Sequence, residues 1–227
     1  MRRNDLNRSL SILAATAAVG LALTACGGGG GDSAPSSTAA DGAPVDAAKA
    51  LTQTDMPAGL TVATVPNDDA FQSAMQAVGQ VQAAQITPAA CKDKNVAAQQ
   101  ELFETIKFGV QQTLSKNNTV QFGVTLLPSS AHLSAFEAAG TGECAAISFG
   151  DSLKQTTTRK DLPAGVTGAQ GFVFDFARST DGRTAKSSSA YFTKGGVLAM
   201  VIANPGPDGT VDTAAFDDVV SRVAAKL

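Results

Sequence analysis

From Leu153 onward four consecutive runs, 153–160, 171–179, 183–193 and 197–203, read as strands, and their close spacing points to an antiparallel sheet. Asp181-Gly182 and Gly195-Gly196 separate the last three runs. Both pairs suit two-residue hairpin turns, which need residues that tolerate positive φ. The four runs therefore predict a meander. Upstream, Thr61 to Val65 is a fifth strand candidate, ended by Pro66. Phe108 and Val110, a turn at Lys116-Asn117-Asn118, and Val120, Phe122, Val124 and Leu126 alternating with Gln121, Gly123 and Thr125 predict a hairpin with one buried face.

Between these strands the apolar period lengthens to that of a helix. Asn67-Asp68-Asp69 offers N-cap side chains, and Phe71, Ala74, Met75, Val78 and Val81 form a core-facing stripe running to about Ala84. Ile86-Thr87-Pro88 breaks that helix, and Val96, Leu102 and Phe103 lie in a Gln/Ala/Glu-rich second one. Ser129-Ser130 can cap a short helix carrying Leu133 and Phe136 and closed by Gly140. After the Pro/Gly-rich stop at 204–209, Phe216, Val219, Val220 and Val223 mark a terminal amphipathic helix beginning near Asp212. The expected fold class is α+β, an antiparallel sheet with helices packed on one face. Phe172, Phe174 and Phe176 share one strand face. They are expected opposite Val120, Phe122, Val124 and Leu126, beneath the stripes of Phe71, Met75, Val78, Phe216 and Val220; most of this set is core, and the remainder is available to line a cleft.

The 227 residues, 44% hydrophobic and 16% charged, fit one domain at 50–227 preceded by non-globular sequence. With no Trp, one Tyr and one His, the chain builds neither a stacked aromatic sugar platform nor a multi-histidine metal site. A formal charge of −3 gives no electrostatic reason to expect nucleic acid. At the N-terminus, Arg2, Arg3 and Arg8 precede an apolar run at 10–22 of signal-sequence length, too short for a comfortable membrane span. Leu23-Thr24-Ala25-Cys26 then resembles the lipobox of bacterial lipoproteins. That resemblance implies a signal peptide at 1–25 and a diacylglyceryl group on Cys26; the plainer alternative is a secretory signal that happens to contain a cysteine. Cleavage removes three Arg and one Asp and leaves a net charge of −5, so the lipid rather than a basic patch would hold the protein at the extracytoplasmic face of the cell membrane. Residues 26–49, opening on Gly27 to Gly31, are too poor in apolar side chains to fold and read as a tether of roughly 25–30 Å root-mean-square reach. Ser36, Ser37 and Thr38 would also suit O-glycosylation, although a plain linker suffices.

With Cys26 assigned to lipid, Cys91 and Cys144 remain. An oxidising compartment would pair them, closing a loop of about 54 residues for ~4 kcal/mol in the chain-entropy model. Two free structural thiols or a redox pair are the alternatives, the latter disfavoured by the absence of Cys-x-x-Cys spacing. No metal or cofactor motif is present. Gly27 to Gly31 lacks the Lys-Ser/Thr of a phosphate loop. His132 lies so close to Ser129 and Ser130 that it looks like a Ser-His pair, but nucleophilic catalysis needs opposed side chains and an orienting acid. Asp175, between Phe174 and Phe176, falls on the opposite strand face and reads as a solvated carboxylate. Lys154, Arg159, Lys160, Arg178, Arg183 and Lys186, with Thr156 to Thr158 and Ser187 to Ser189, would form a cationic, hydroxyl-rich surface if their strand faces align.

A lipobox, a Gly/Ser tether, Ile-Thr-Pro-Ala-Ala-Cys91 after a helix and Cys144 in Gly-Glu-Cys-Ala-Ala resemble actinobacterial lipoproteins. Among these the chain is similar, over most of 50–227, to the group related to the extracellular sensor domain of a mycobacterial serine/threonine kinase. The resemblance implies a disulfide-containing α+β domain with a ligand-binding cleft. That kinase-type domain carries more cysteines than the two here, so no site residue is carried over. The leading expectation is a non-catalytic, lipid-anchored binding or sensor domain for a small apolar or amphiphilic molecule. An envelope hydrolase using a Ser/His site and a structural scaffold lipoprotein are the alternatives.

Overall fold

All four expected C-terminal strands are present, and they are the centre of a larger sheet. The computed structural model describes residues 43–128 and 130–227. The expected signal segment, Cys26 and Ser129 lie outside the described residues. In chain order the elements are β1 (Thr61–Val65), α1 (Asn67–Ala83), β2 (Ile86–Thr87), α2 (Ala89–Thr105), β3 (Val110–Lys116), β4 (Thr119–Pro128), α3 (Leu133–Ala138), β5 (Ala146–Phe149), β6 (Leu153–Lys160), β7 (Gln170–Thr180), β8 (Arg183–Lys194), β9 (Val197–Ala203) and α4 (Thr213–Lys226). Nine strands form one antiparallel sheet in the order β1-β3-β4-β9-β8-β7-β6-β5-β2. The hairpin turns are those the sequence predicts. Asn117 and Asn118 (φ 50° and 60°), Asp181 and Gly182 (49° and 75°), and Gly195 and Gly196 (56° and 74°) all hold the left-handed conformation that a tight hairpin demands.

The class is α+β, but the helices cover both faces of the sheet. β9 shows why: all seven of its residues are buried, Val197, Ala199, Val201 and Ala203 toward one face and Leu198, Met200 and Ile202 toward the other. On the first face α4 docks Phe216, Val219, Val220 and Val223 against Val124, Val173, Ala190 and Phe192. On the second, α1, α2 and α3 cover Phe172, Phe174, Phe176 and Tyr191. The expected single core of Phe172, Phe174 and Phe176 with Phe122, Val124 and Leu126 is therefore two cores separated by the sheet. A continuous apolar strand signals burial on both faces, and β9 is such a strand.

Two helical details also differ. α1 turns Ala70, Ala74 and Val81 inward, while Met75 is 45% exposed. Its alanines permit close approach to α2, and Phe71 packs on Phe103 of that helix with ring centroids 4.7 Å apart. Pro66, not an Asn or Asp side chain, occupies the N-cap; Asp68 and Asp69 sit in the first turn, where the helix dipole favours them. α4 is capped as expected, Asp212 Oδ1 accepting from the Ala215 N–H at 3.0 Å.

The chain is already docked by Val45, whose N–H donates to the Phe108 carbonyl at 2.8 Å, and Lys49 Nζ donates to the Gly195 carbonyl at 2.7 Å. Some of the residues expected in the tether thus belong to the folded unit. Asp55 clamps this segment to α4. Its Oδ2 accepts from the Thr52 N–H and hydroxyl, both at 2.7 Å, and from Lys226 Nζ at 3.0 Å. These hydrogen bonds, those from Thr52 foremost, lower its pKa to about 2. A depressed carboxylate stabilises the fold fully above its ordinary value and loses that contribution as pH falls toward the folded value. Asp55→Asn is therefore expected to be less stable than wild type at neutral pH, the gap closing between about pH 4 and 2. Paired urea titrations across that range check it, and a pH-independent gap would contradict it.

Candidate functional site

β6, β7 and β8 set the floor of a cleft, because alternation sends every second residue to the face beneath α2 and α3. On β7 these residues are Phe172, Phe174, Phe176 and then Arg178. The cross-strand register places Gln155 of β6 beside Arg178 and Thr157 beside Phe176. On β8, Ser187 stands beside Phe176 and Tyr191 beside Phe172. α2 supplies the roof with Asn95, Ala98, Gln99 and Leu102, and α3 with the turn after it closes the side with Phe136, Ala139 and Gly140. Gly140 is required by this approach, since a Cβ there would lie 2.6 Å from the Phe174 ring.

The cleft has two chemically different ends. Its inner end is apolar and aromatic: Tyr191 stacks on Phe136 at 5.3 Å between centroids and meets Phe174 edge-on at 5.9 Å. Burial pushes the Tyr191 phenol up to about 12, so it is neutral at physiological pH. The other end is polar, with Asn95 and Gln99 above and Gln155 below. The space within the cleft is about 30 Å³, room for one or two waters, so a larger occupant requires α2 and α3 to ease off the sheet. A wider open groove of about 440 Å³ lies where the N-terminal segment meets β3. Its buried amide, Gln112, is already satisfied by the Leu51 backbone on both sides, at 2.9 and 2.8 Å. We place the candidate site at the smaller cleft, because buried polar groups beside its wall are not all satisfied.

Arg178 is 9% exposed and makes no ion pair among the described residues. Its Nε donates to Gln155 Oε1 at 2.7 Å, and its Cζ lies 5.5 Å from the Phe176 ring centroid. Burial pulls the guanidinium down to about 10, still charged at neutral pH. Its Nη2 has no partner, and neither has the buried Thr157 Oγ1 on the next strand. The sequence places Arg178 in a solvated cationic patch, but the structure divides that patch between the two faces. Arg159 and Arg178 lie on the α2–α3 side, Lys154, Lys160 and Lys186 on the α4 side.

Other expected residues are placed as follows. Asp175 faces away from its phenylalanine neighbours as expected, but it is held: it accepts from Ser188 Oγ at 2.7 Å and pairs with Lys160. That contact raises Lys160, while burial raises the nearby Asp217 of α4. His132 does have an acid, which the sequence reading did not supply. Glu101 Oε1 accepts the His132 N–H at 2.7 Å and lies 3.1 Å from Nδ1. The imidazole is 74% exposed, and no described nucleophile bonds its other nitrogen. Cys91 and Cys144 are joined, with Cα atoms 5.4 Å apart. The bridge ties the N-terminus of α2 to the turn before β5, at the polar end of the cleft, and with Val81, Ile86 and Ile147 it forms a small separate core. Glu143 lies within ligand distance of the two sulfurs, but disulfide sulfurs do not offer thiolates to a metal. Among the described residues no helix is long and apolar enough to cross a membrane.

No protein-family model and no curated protein matches the chain. Among solved structures, it is similar to an uncharacterized protein of Mycobacterium smegmatis, the Rv0999 ortholog. The two share 15% identity at a TM-score of 0.47, over 77% of this chain and 92% of that one.

Proposed function

We propose that this chain is a cell-envelope lipoprotein, anchored through Cys26, whose domain binds a small amphiphilic molecule in the cleft between α2–α3 and the sheet without altering it chemically. The observation that carries the reading is the division of that cleft into an aromatic end, walled by Phe136, Phe174, Phe176 and Tyr191, and a polar end of Asn95, Gln99 and Gln155. Concave, largely apolar sites with a few convergent polar groups are the common form of small-molecule sites. The disulfide agrees with an exported domain. The Glu101–His132 pair favours a hydrolase only if a nucleophile joins it.

Titration of the ¹⁵N-labelled mature chain with 1-decanol tests the cleft. The expected result is saturable shift changes confined to the amides of Gln99, Ala139, Gly140 and Met200 and their neighbours. Changes centred elsewhere, or none, would leave a scaffold role as the better reading. Fatty-acid labelling tests the anchor: the wild-type chain is expected to incorporate label and Cys26→Ser none, and a labelled mutant would contradict it.

A further inference from the structure

A buried guanidinium without a carboxylate is an expensive arrangement. Arg does not escape by losing its proton at neutral pH, and a partly compensated charge in a low-dielectric site still costs several kcal/mol. Folded proteins pair such groups or supply them with hydrogen-bond acceptors. Arg178 has one acceptor, Gln155, and one aromatic face, Phe176; both line the cleft. Its Nη2 is buried with nothing to donate to, and Thr157 Oγ1 is a second unpartnered polar atom, on the strand beside it. The two orphaned polar groups lie on adjacent strands, one diagonal step apart and beside Gln155 and Phe176 of the cavity wall, and an anionic oxygen reaching past that wall is the kind of acceptor the guanidinium lacks. Gln111, on the same face but four strands away, also lacks partners, but it is a neutral amide and requires no counter-charge.

We propose that Arg178, with Thr157, is the anion clasp of the cleft, and that the ligand is a single-chain amphiphile with a carboxylate or phosphate head, its chain directed toward Phe136 and Tyr191. This rests on the cleft-binding reading above and adds the charge of the head group. The head group would supply the counter-charge that the fold withholds from Arg178, and the apolar end would select against free anions.

Calorimetric titration of the mature chain (residues 26–227 with Cys26→Ser) at pH 8 tests the proposal with decanoate, decyl phosphate, 1-decanol, acetate and inorganic phosphate. Decanoate and decyl phosphate are expected to bind at least about tenfold tighter than 1-decanol, and the two free anions more weakly than 1-decanol. Arg178→Met is expected to erase the preference for charged heads, decanoate and decyl phosphate then binding no tighter than 1-decanol, and Arg178→Lys to retain part of it. Independently of any variant, the Arg178 Nε–Hε resonance of the wild-type chain is expected to shift with decanoate and not with 1-decanol. Equal affinity for decanoate and 1-decanol would overturn the clasp while sparing the cleft. Binding of inorganic phosphate as tightly as decyl phosphate would overturn the amphiphile in favour of a free anion. Binding of none of the probes would overturn the cleft reading itself.

Discussion

Replacing both Cys91 and Cys144 with alanine is expected to lower the unfolding free energy by about 2–4 kcal/mol. The bridge spans a sequence separation of 53 residues, long enough for its closure to remove substantial entropy from the unfolded chain. Its native surroundings sharpen the effect. Both half-cystines are fully buried, and the core they share with Val81, Ile86 and Ile147 is small. β2, at the outer edge of the sheet, contributes only two residues. Without the bridge, little holds the N-terminus of α2 to β5, so amide exchange is expected to accelerate first at 86–91 and 144–149 and only later in β7–β9. Urea unfolding of wild type and the double variant measures the first effect, hydrogen exchange the second. An unchanged midpoint, or two alkylatable thiols in the non-reduced protein, would contradict the account.

Phe216→Ala is expected to cost about 3–5 kcal/mol. Its ring is 2% exposed and sits in the first turns of α4, where it fixes that helix to the sheet face of Val124, Val173 and Phe192. Because α4 alone among the four helices covers this face, neighbouring side chains have little freedom to refill the space. The two-sided core makes a further statement that urea unfolding can check. The milder Phe216→Leu and Phe174→Leu lie on opposite faces of the sheet, so their effects are expected to add within about 0.5 kcal/mol. Strong coupling between them would mean one shared core.

The strands were legible because their period and turns agree. Asp181-Gly182, Gly195-Gly196 and Asn117-Asn118 fix three hairpins, and with them the register of β3, β4, β7, β8 and β9. β2 and β5 were not legible. Ile86-Thr87 is too short to show a period, and its pairing with Ser148-Phe149 is a contact across the disulfide that no local signal encodes. The second face was written in β9, Val-Leu-Ala-Met-Val-Ile-Ala, whose lack of alternation signals burial on both sides. Reading Phe216 and Phe172 into one core overlooked it. Of the candidate site, the aromatic half was visible as Phe172, Phe174 and Phe176 on one strand face. Arg178 continues that same alternation, so its burial was the available signal, but a lone arginine near a strand end is ordinarily solvated. What the sequence could not show is that Gln155 meets it and no carboxylate does, because that depends on the pairing of β6 with β7.

The decisive measurement is native mass spectrometry of the protein purified from its own host. A non-covalent adduct is expected at one-to-one stoichiometry, released by denaturation as an anionic single-chain amphiphile, and lost when Arg178 is replaced by Met. Only the bare protein mass, together with no spectral change on adding decanoate or 1-decanol, would contradict it.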